Sequence, residues 1–217
     1  MNETTSSHCD SIDWFFDFIS PYAYLQHEQL KRHYGDCSIN YRPILFAGLL
    51  KHWSHLGPAE IPQKRIMTYQ YCHWSAKKQG IPYKTPPSHP FNPLPLLRLC
   101  VSQRNAPNVV SGIFNAIWGQ GMDLSAPGNM DRLCEELKID APQEKISEQW
   151  VKDELRDNTE RAIDLGLFGV PTILAGGKLF WGCDMTEMAM AHLETPTLFS
   201  SGEYQRLEAL PEAKTRT

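Results

Sequence analysis

The sequence predicts an α/β protein in which a long helical segment separates two halves of a small sheet. Strand, helix and strand patterns follow one another before residue 44, and two short strands and a helix follow one another after residue 166. Residues 44–165 show helical spacing interrupted by prolines. We therefore predict a βαβ half at 10–43, an inserted all-helical domain at 44–165, a ββα half at 166–195 and a C-terminal tail at 196–217.

The first strand is an apolar, aromatic-rich run that begins at Asp13 and breaks at Ser20-Pro21. Ser20 suits the N-cap of a helix at 20–34, and Pro21 suits its first position, where a missing N–H has no cost. A hydroxyl at a helix N-terminus is a good place to hold an anion. Alternatively, Ser-Pro only caps the helix, which base rates favour for this pair alone. A short strand at 37–41, closed by Arg42-Pro43, completes the βαβ unit.

The helical spacing of residues 44–165 predicts several helices joined by proline-rich turns. Residues 82–95 contain six prolines, too many for regular structure. The predicted helices lie at 46–55, 64–79, 94–103, 108–118, 129–138 and 147–165.

Two short strands, at 172–175 and 178–181, flank Gly176-Gly177, a hairpin signal. A closing helix at 184–193 precedes a polar tail, expected to lie over the surface or to be partly disordered. This order of elements is the thioredoxin arrangement with an insertion, in which a proline precedes the third strand. Val170-Pro171 stands there, and we predict a cis bond that turns the Val170 backbone outward as an edge for an extended peptide. A trans turn proline is the alternative.

The composition excludes several functions. The chain of 217 residues has 41% hydrophobic residues, 21% charged residues and a net charge of −4, which gives no electrostatic signal for binding nucleic acid or membranes. There is no apolar run of membrane-spanning length, and the polar start lacks the apolar region of a signal peptide, so a cytoplasmic location is expected. No histidine spacing predicts a metal site. The cysteines form no C-x-x-C pair and are expected to be reduced: 9, 37, 72, 100, 134 and 183.

These motifs resemble the 2-hydroxychromene-2-carboxylate isomerases, glutathione-dependent bacterial enzymes of naphthalene-type catabolism that are similar to kappa-class glutathione transferases. The resemblance runs from about residue 12 to 193. It is carried by Ser20-Pro21-Tyr22, Ile113-Phe114-Asn115-Ala116-Ile117-Trp118-Gly119-Gln120-Gly121, Phe168-Gly169-Val170-Pro171-Thr172 and Leu179-Phe180-Trp181-Gly182-Cys183-Asp184.

The resemblance implies that Ser20 replaces the first cysteine of a C-x-x-C motif and stabilises the thiolate of glutathione, as the catalytic residue. Ala23 stands in place of the second cysteine, which disfavours a thiol–disulfide oxidoreductase. Asp184 would receive the γ-glutamyl ammonium, although an ordinary N-cap is the alternative. The implied glutathione-binding residues are Ser20, Pro21, Tyr22, His55, Val170, Pro171, Cys183, Asp184, Met185 and Thr186.

Two positions depart from the family pattern. Cys183-Asp184-Met185 stands where members often carry Asn-Asp-Arg, so a guanidinium near the glutathione carboxylate is missing. Ser54-His55 stands where a Gly-Asn pair recurs, which would make binding pH-sensitive. For an aromatic carboxylate substrate the resemblance implies Lys51, which could equally be a solvated lysine. His89 and Asn92, in the proline-rich loop expected to face the site, could contact the substrate or only tie down the loop. Trp118, Phe180 and Trp181 could wall an aromatic pocket or belong to the core.

The sequence thus leaves three hypotheses. The first is a glutathione-dependent isomerase that acts on an unsaturated aromatic carboxylate and does not consume glutathione. The second is a kappa-like transferase that releases the conjugate, and the third is a non-enzymatic thioredoxin-fold binding module. The resemblance also implies a homodimer.

Overall fold

The computed structural model describes residues 11–211, so the predictions for Cys9 and for the outer ends of the first and last segments lie outside it. Four strands form one sheet in the order β2-β1-β3-β4: β1 Ile12–Phe16, β2 Ile39–Pro43, β3 Thr172–Ala175 and β4 Lys178–Trp181. β1 and β2 are parallel, while β3 is antiparallel to both β1 and β4. This mixed sheet confirms the predicted thioredoxin-like fold.

The central strand β1 is buried on both faces. Trp14 and Phe16 point into the main core, and Phe15 points into a smaller core with Ile44 and Leu49. A strand covered on both faces needs apolar side chains at successive positions, which explains its aromatic run. The predicted end of β2 at residue 41 was wrong, because Pro43 still pairs with β1. Since β2 is an edge strand, the missing proline N–H leaves no ladder bond unmade.

Ten α-helices are described within residues 11–211. The second predicted helix ends three residues early, at His52, and Ser54 then adopts a φ of 53° that breaks the helix. Two short helices, α7 and α10, were not predicted. The helices are α1 Pro21–His33, α2 Phe46–His52, α3 Pro62–Gln79, α4 Leu94–Ser102, α5 Pro107–Phe114, α6 Asn129–Glu136, α7 Pro142–Lys145, α8 Gln149–Asp164, α9 Thr186–Glu194 and α10 Glu203–Glu208.

The inserted helices share the main core with the sheet. Phe114 at the end of α5 lies 5.6 Å, centroid to centroid, from the ring of Phe16 and 4.7 Å from that of Phe18. The next turn is a π-helix, Asn115–Gly119, and its Trp118 Nε1 donates to Phe18 O at 2.8 Å. The helical segment therefore supports the end of β1 directly, and the proposed domain limits stay a prediction.

The tail returns to the sheet. Phe199 is buried beside Phe180 and His192, and Lys178 Nζ lies 2.9 Å from Glu208 Oε1 on α10. The segment after α9 thus covers the β3–β4 hairpin. Across residues 11–211, no helix is both long and apolar enough to cross a membrane.

Candidate functional site

Ser20 caps α1 at the carboxyl end of β1. Its Oγ accepts a hydrogen bond from Ala23 N at 3.2 Å, and the Ser20 backbone is extended, as an N-cap requires. Pro21 follows at the first helical position and has no N–H, so the first free N–H of the helix belongs to Tyr22. The predicted cap is confirmed. The hydroxyl and this N–H are the donors available to an anion at this helix end.

The loop before β3 faces Ser20. The Val170-Pro171 peptide is cis, as predicted, and Ser20 Oγ donates to Val170 O over 3.4 Å. That bond is long, so the hydroxyl can turn to a better acceptor at small cost. The Val170 side chain is buried in the smaller core, and Thr172 Oγ1 donates to Gly169 O at 2.8 Å. The Val170 side chain therefore fixes the loop to the smaller core and Thr172 holds it at Gly169, while the Val170 backbone faces the N-terminus of α1.

The turn at residues 182–186 joins β4 to α9 and is tied to that loop. Gly182 N donates to Pro171 O at 2.9 Å, and Met185 N donates to Gly182 O at 3.2 Å. Cys183 and Thr186 are buried, and Met185 packs against the main core. The Asp184 side chain is exposed. A carboxylate is thus presented to solvent by a turn whose other residues are anchored.

Asp17, three residues before Ser20, is a buried carboxyl that the sequence analysis missed. Its Oδ1 accepts from Ile19 N at 3.0 Å, and its Oδ2 accepts from Phe46 N, the first residue of α2, at 2.9 Å. Burial raises the pKa of Asp17 from its ordinary value of 3.8 to about 7, against the effect of these two hydrogen bonds. A charged residue inside an aromatic run was the available signal. Asp17 connects the Ser20 loop to α2.

His89 holds the same loop from the other side. Its Nε2 lies 2.8 Å from Ile19 O, and its Nδ1 lies 2.6 Å from the hydroxyl of Tyr69 on α3. Burial lowers the pKa of His89, so the neutral ring donates one proton, to Ile19 O, and accepts the Tyr69 proton. The His89-Pro90 bond is also cis. Both ring nitrogens are therefore engaged by other groups of the protein.

Aromatic residues of α3 line the neighbouring surface. The Tyr22 ring lies 5.9 Å from that of Tyr71, which is itself 6.0 Å from that of Trp74. Burial first, and then the nearby Cys72 thiol, raise the pKa of Tyr22. Burial raises the pKa of the Cys183 thiol to about 12, so this thiol stays protonated near neutral pH. Tyr71 and Trp74, one helical turn apart, were also missed.

The side chains of four other predicted residues form no hydrogen bond with Ser20, Val170 or Asp184 within residues 11–211. Lys51, in the last turn of α2, and His55 are exposed, and neither side chain forms a hydrogen bond or ion pair within residues 11–211. Asn92 is exposed, and its Oδ1 accepts a hydrogen bond from Leu94 N, two residues later, at 3.1 Å. Trp181 is 50% exposed and packs edge-on against Phe168. By contrast, Trp118 and Phe180 lie in the core.

Comparison with known proteins identifies the family. The model of the DSBA-like thioredoxin domain matches residues 11–194. The chain belongs to the DSBA-like thioredoxin domain family. Within residues 11–211 of this family member, Ser20 and Ala23 occupy the two positions at the start of α1 that we assigned to a redox pair, and Cys72, Cys100, Cys134 and Cys183 are buried free thiols.

Several members of the family are similar over most of the chain. The 2-hydroxychromene-2-carboxylate isomerase of Sphingobium xenophagum is 28% identical over 192 residues, which cover 84% of this chain and 97% of that protein. Glutathione S-transferase kappa 2 of Caenorhabditis elegans is 28% identical over 176 residues, or 74% and 78% of the two chains. A solved 2-hydroxychromene-2-carboxylate isomerase structure is 26% identical with a TM-score of 0.72, covering 88% of this chain and 99% of that one.

This DSBA-like site has the donors and acceptors that a thiol peptide with a free amino end requires. The Ser20 hydroxyl and the Tyr22 N–H can stabilise a thiolate, and the Val170 backbone can pair with an extended residue. The exposed Asp184 carboxylate can accept an ammonium. The residues present therefore fit glutathione.

Proposed function

We propose that this protein is a glutathione-dependent isomerase that acts on an unsaturated aromatic carboxylate, in the manner of a 2-hydroxychromene-2-carboxylate isomerase. One observation carries the proposal: the Ser20 hydroxyl caps α1 and lies within 3.4 Å of Val170 O, next to a cis proline. A hydroxyl at that place cannot exchange disulfides, but it can donate to a thiolate. The relatives named as isomerases support the choice of reaction.

The residues have separate tasks in this proposal. Ser20 Oγ turns from Val170 O to the ligand sulfur, and the N-terminus of α1 favours the same negative charge. The Val170 backbone binds the cysteinyl unit beside Pro171, and Asp184 binds the γ-glutamyl ammonium. Bound glutathione would supply a thiolate that adds to a conjugated carbon, so that a double bond becomes a rotatable single bond before the thiol leaves unconsumed.

The substrate would lie on the side of the site formed by α2, the proline-rich loop and β4. Lys51 is exposed and free to pair with a carboxylate, and Trp181 offers an exposed aromatic face. Asn92 would hydrogen-bond the substrate from the loop. His89 can reach a substrate only by giving up Tyr69 or Ile19, so we propose that it contacts the substrate after such an exchange.

A kappa-like glutathione transferase is the second candidate, because the Caenorhabditis elegans relative named kappa 2 is 28% identical, the same value as the isomerase of Sphingobium xenophagum. The two reactions differ in whether glutathione is consumed. Total free glutathione should stay constant while a chromene or benzylidene carboxylate is converted, if the protein is an isomerase. A stoichiometric decrease would establish a transferase.

The role of Ser20 is tested by ultraviolet difference titration with glutathione at neutral pH. The wild type should develop thiolate absorbance, Ser20→Ala should lose it, and Ser20→Thr, which keeps a hydroxyl, should retain part of it. Because the lost cap costs about 1 kcal/mol, thermal unfolding must show that Ser20→Ala is folded. Ser102→Ala, which removes a hydroxyl bound to Leu99 O in α4, is the matched control.

Saturable binding without thiolate absorbance would refute the role of Ser20 and leave the binding site. No binding at all would favour the third hypothesis, a binding module without this cofactor. We also propose that the protein acts in the cytoplasm, where its buried thiols would stay reduced, and that it forms a homodimer. Sedimentation at micromolar concentration tests the dimer.

A further inference from the structure

A buried amide connects α1 to the 182–186 turn. Gln26, in the second turn of α1, is fully buried. Its Oε1 accepts from Trp14 Nε1 at 2.7 Å, and its Nε2 donates to Gly182 O at 3.0 Å and to Thr186 Oγ1 at 2.9 Å. The amide therefore uses one acceptor and both donors, a combination that neither a carboxylate nor a hydroxyl can provide.

Gly182 is held from two directions at the start of this turn. Its N–H donates to Pro171 O, and its C=O accepts from Gln26. With a φ of 98° and a ψ of 156°, it adopts a conformation that is essentially restricted to glycine. The turn thus leaves β4 in a fixed direction, between the cis-proline loop and α1.

Thr186 anchors the other end of the turn, where α9 begins. Its buried hydroxyl accepts from Gln26 and lies 2.9 Å from Cys183 O and 3.0 Å from Gln29 Oε1, to one of which it donates. Asp184 lies between these two anchors and is exposed. Its backbone position is therefore set by residues on which Gln26 acts.

We propose that Gln26 is a positioning residue for the γ-glutamyl end of glutathione: its amide fixes the 182–186 turn to α1 and so determines where the Asp184 carboxylate meets the ammonium of the ligand. This inference rests on the proposed function. Gln26 acts on Asp184 through the turn, whereas Ser20 acts on the sulfur at the other end of the ligand. Loss of the amide should therefore weaken recognition of the amino group and leave thiolate formation intact.

The test compares glutathione with glutaryl-cysteinylglycine, an analogue that lacks only the α-amino group. Kd values are measured by calorimetry for both ligands, and thiolate absorbance is recorded at saturation. We expect the wild type to bind glutathione about tenfold more tightly than the analogue, as one charge-assisted hydrogen bond allows. In Gln26→Met, which keeps an unbranched chain of similar length, this ratio should fall to about twofold with thiolate absorbance per bound ligand unchanged.

Two further variants serve as controls for this measurement. Asp184→Ala gives the ratio expected without the carboxylate. Ser111→Ala removes the hydroxyl that pairs with His27, the residue after Gln26 on α1, and should leave the ratio unchanged. If Gln26→Met does not fold, Thr186→Val removes one of the two bonds to the turn and should lower the ratio about threefold.

The outcomes separate the two claims. A wild-type ratio preserved in Gln26→Met, an equal loss of both ligands, or the same selective loss in Ser111→Ala would each overturn the inference while glutathione binding stands. If the wild type binds neither ligand, the proposed function fails and the inference fails with it.

Discussion

Replacing Asp17 by asparagine exchanges a buried carboxyl group that can titrate for a neutral amide of the same size. The carboxylate accepts the N–H groups of both Ile19 and Phe46, which lie on either side of the Ser20 loop. An amide has one acceptor, so one of these N–H groups would face an NH2 group instead. That unpaired donor should contribute a pH-independent loss of about 1–3 kcal/mol to the free energy of unfolding of Asp17→Asn.

The ionisation of Asp17 has a second effect on the free energy of unfolding, which depends on pH and favours the asparagine variant as pH rises. Between its ordinary pKa of 3.8 and the raised pKa of about 7, Asp17 is protonated in the folded chain and ionised in the unfolded chain. The folded state then binds one more proton at Asp17, so the contribution of Asp17 to the free energy of unfolding falls as pH rises from about 4 to 7. At about 1.4 kcal/mol per pKa unit, this loss is about 4 kcal/mol at most. Asp17→Asn lacks it.

The assay is urea unfolding followed by tryptophan fluorescence from pH 4.5 to 8. Asp17→Asn should be less stable than the wild type at pH 4.5, and as stable or more stable at pH 8. Asp13→Asn, the same change four residues earlier in β1, should instead lower stability at pH 7 by up to about 1 kcal/mol, because Asp13 pairs with Arg42 and Arg161. A stability difference between Asp17→Asn and wild type that does not vary with pH would refute the reasoning.

Three other predictions concern the surroundings of the site. Gly182→Ala should lower the free energy of unfolding by about 1–3 kcal/mol in urea, because alanine disfavours that backbone conformation, and a cost below about 0.5 kcal/mol would contradict it. His89→Phe leaves Ile19 O without its donor and should cost about 1–3 kcal/mol by the same assay; no change would show that the bond is dispensable. Iodoacetamide at pH 8 should alkylate Cys183 and Cys72 roughly a hundredfold more slowly in the native protein than in urea, because burial keeps both thiols protonated. Peptide mass spectrometry measures the two rates, and equal rates would contradict the prediction.

The helix start at Ser20 and the β3–β4 hairpin could be predicted, because each depends only on residues that are neighbours in the sequence. Ser20 accepts one of the orphan N–H groups of the helix start and Pro21 lacks another, and the helix begins where they stand. Gly176 and Gly177 both have positive φ angles in the β3–β4 hairpin, which the pair predicted. The helices α7 and α10 were missed because four or six residues carry too little periodicity.

Contacts between distant residues could not be read from the sequence. Gln26 and Gly182 are 156 positions apart, His89 and Ile19 are 70 apart, and each bond depends on how the helical segment and the last strands pack. A buried glutamine has no sequence signal of its own, because a polar residue in a helical pattern is ordinarily expected to face solvent. The positions of Lys51 and His55 relative to Ser20 were likewise open, since both follow from the docking of α2.

His27 is a second buried titratable residue, and its effect on the pH dependence of stability is opposite to that of Asp17. His27 is buried on α1 with its Nε2 at Ser111 Oγ, and burial lowers its pKa to about 3. Between pH 4 and 6.5 the unfolded chain gains a proton at this histidine and loses one at Asp17, while the folded chain keeps both groups neutral. The two contributions to the pH slope of stability cancel in that window. A change in glutathione binding within that window would therefore not be explained by an effect of these two groups on the stability of the fold.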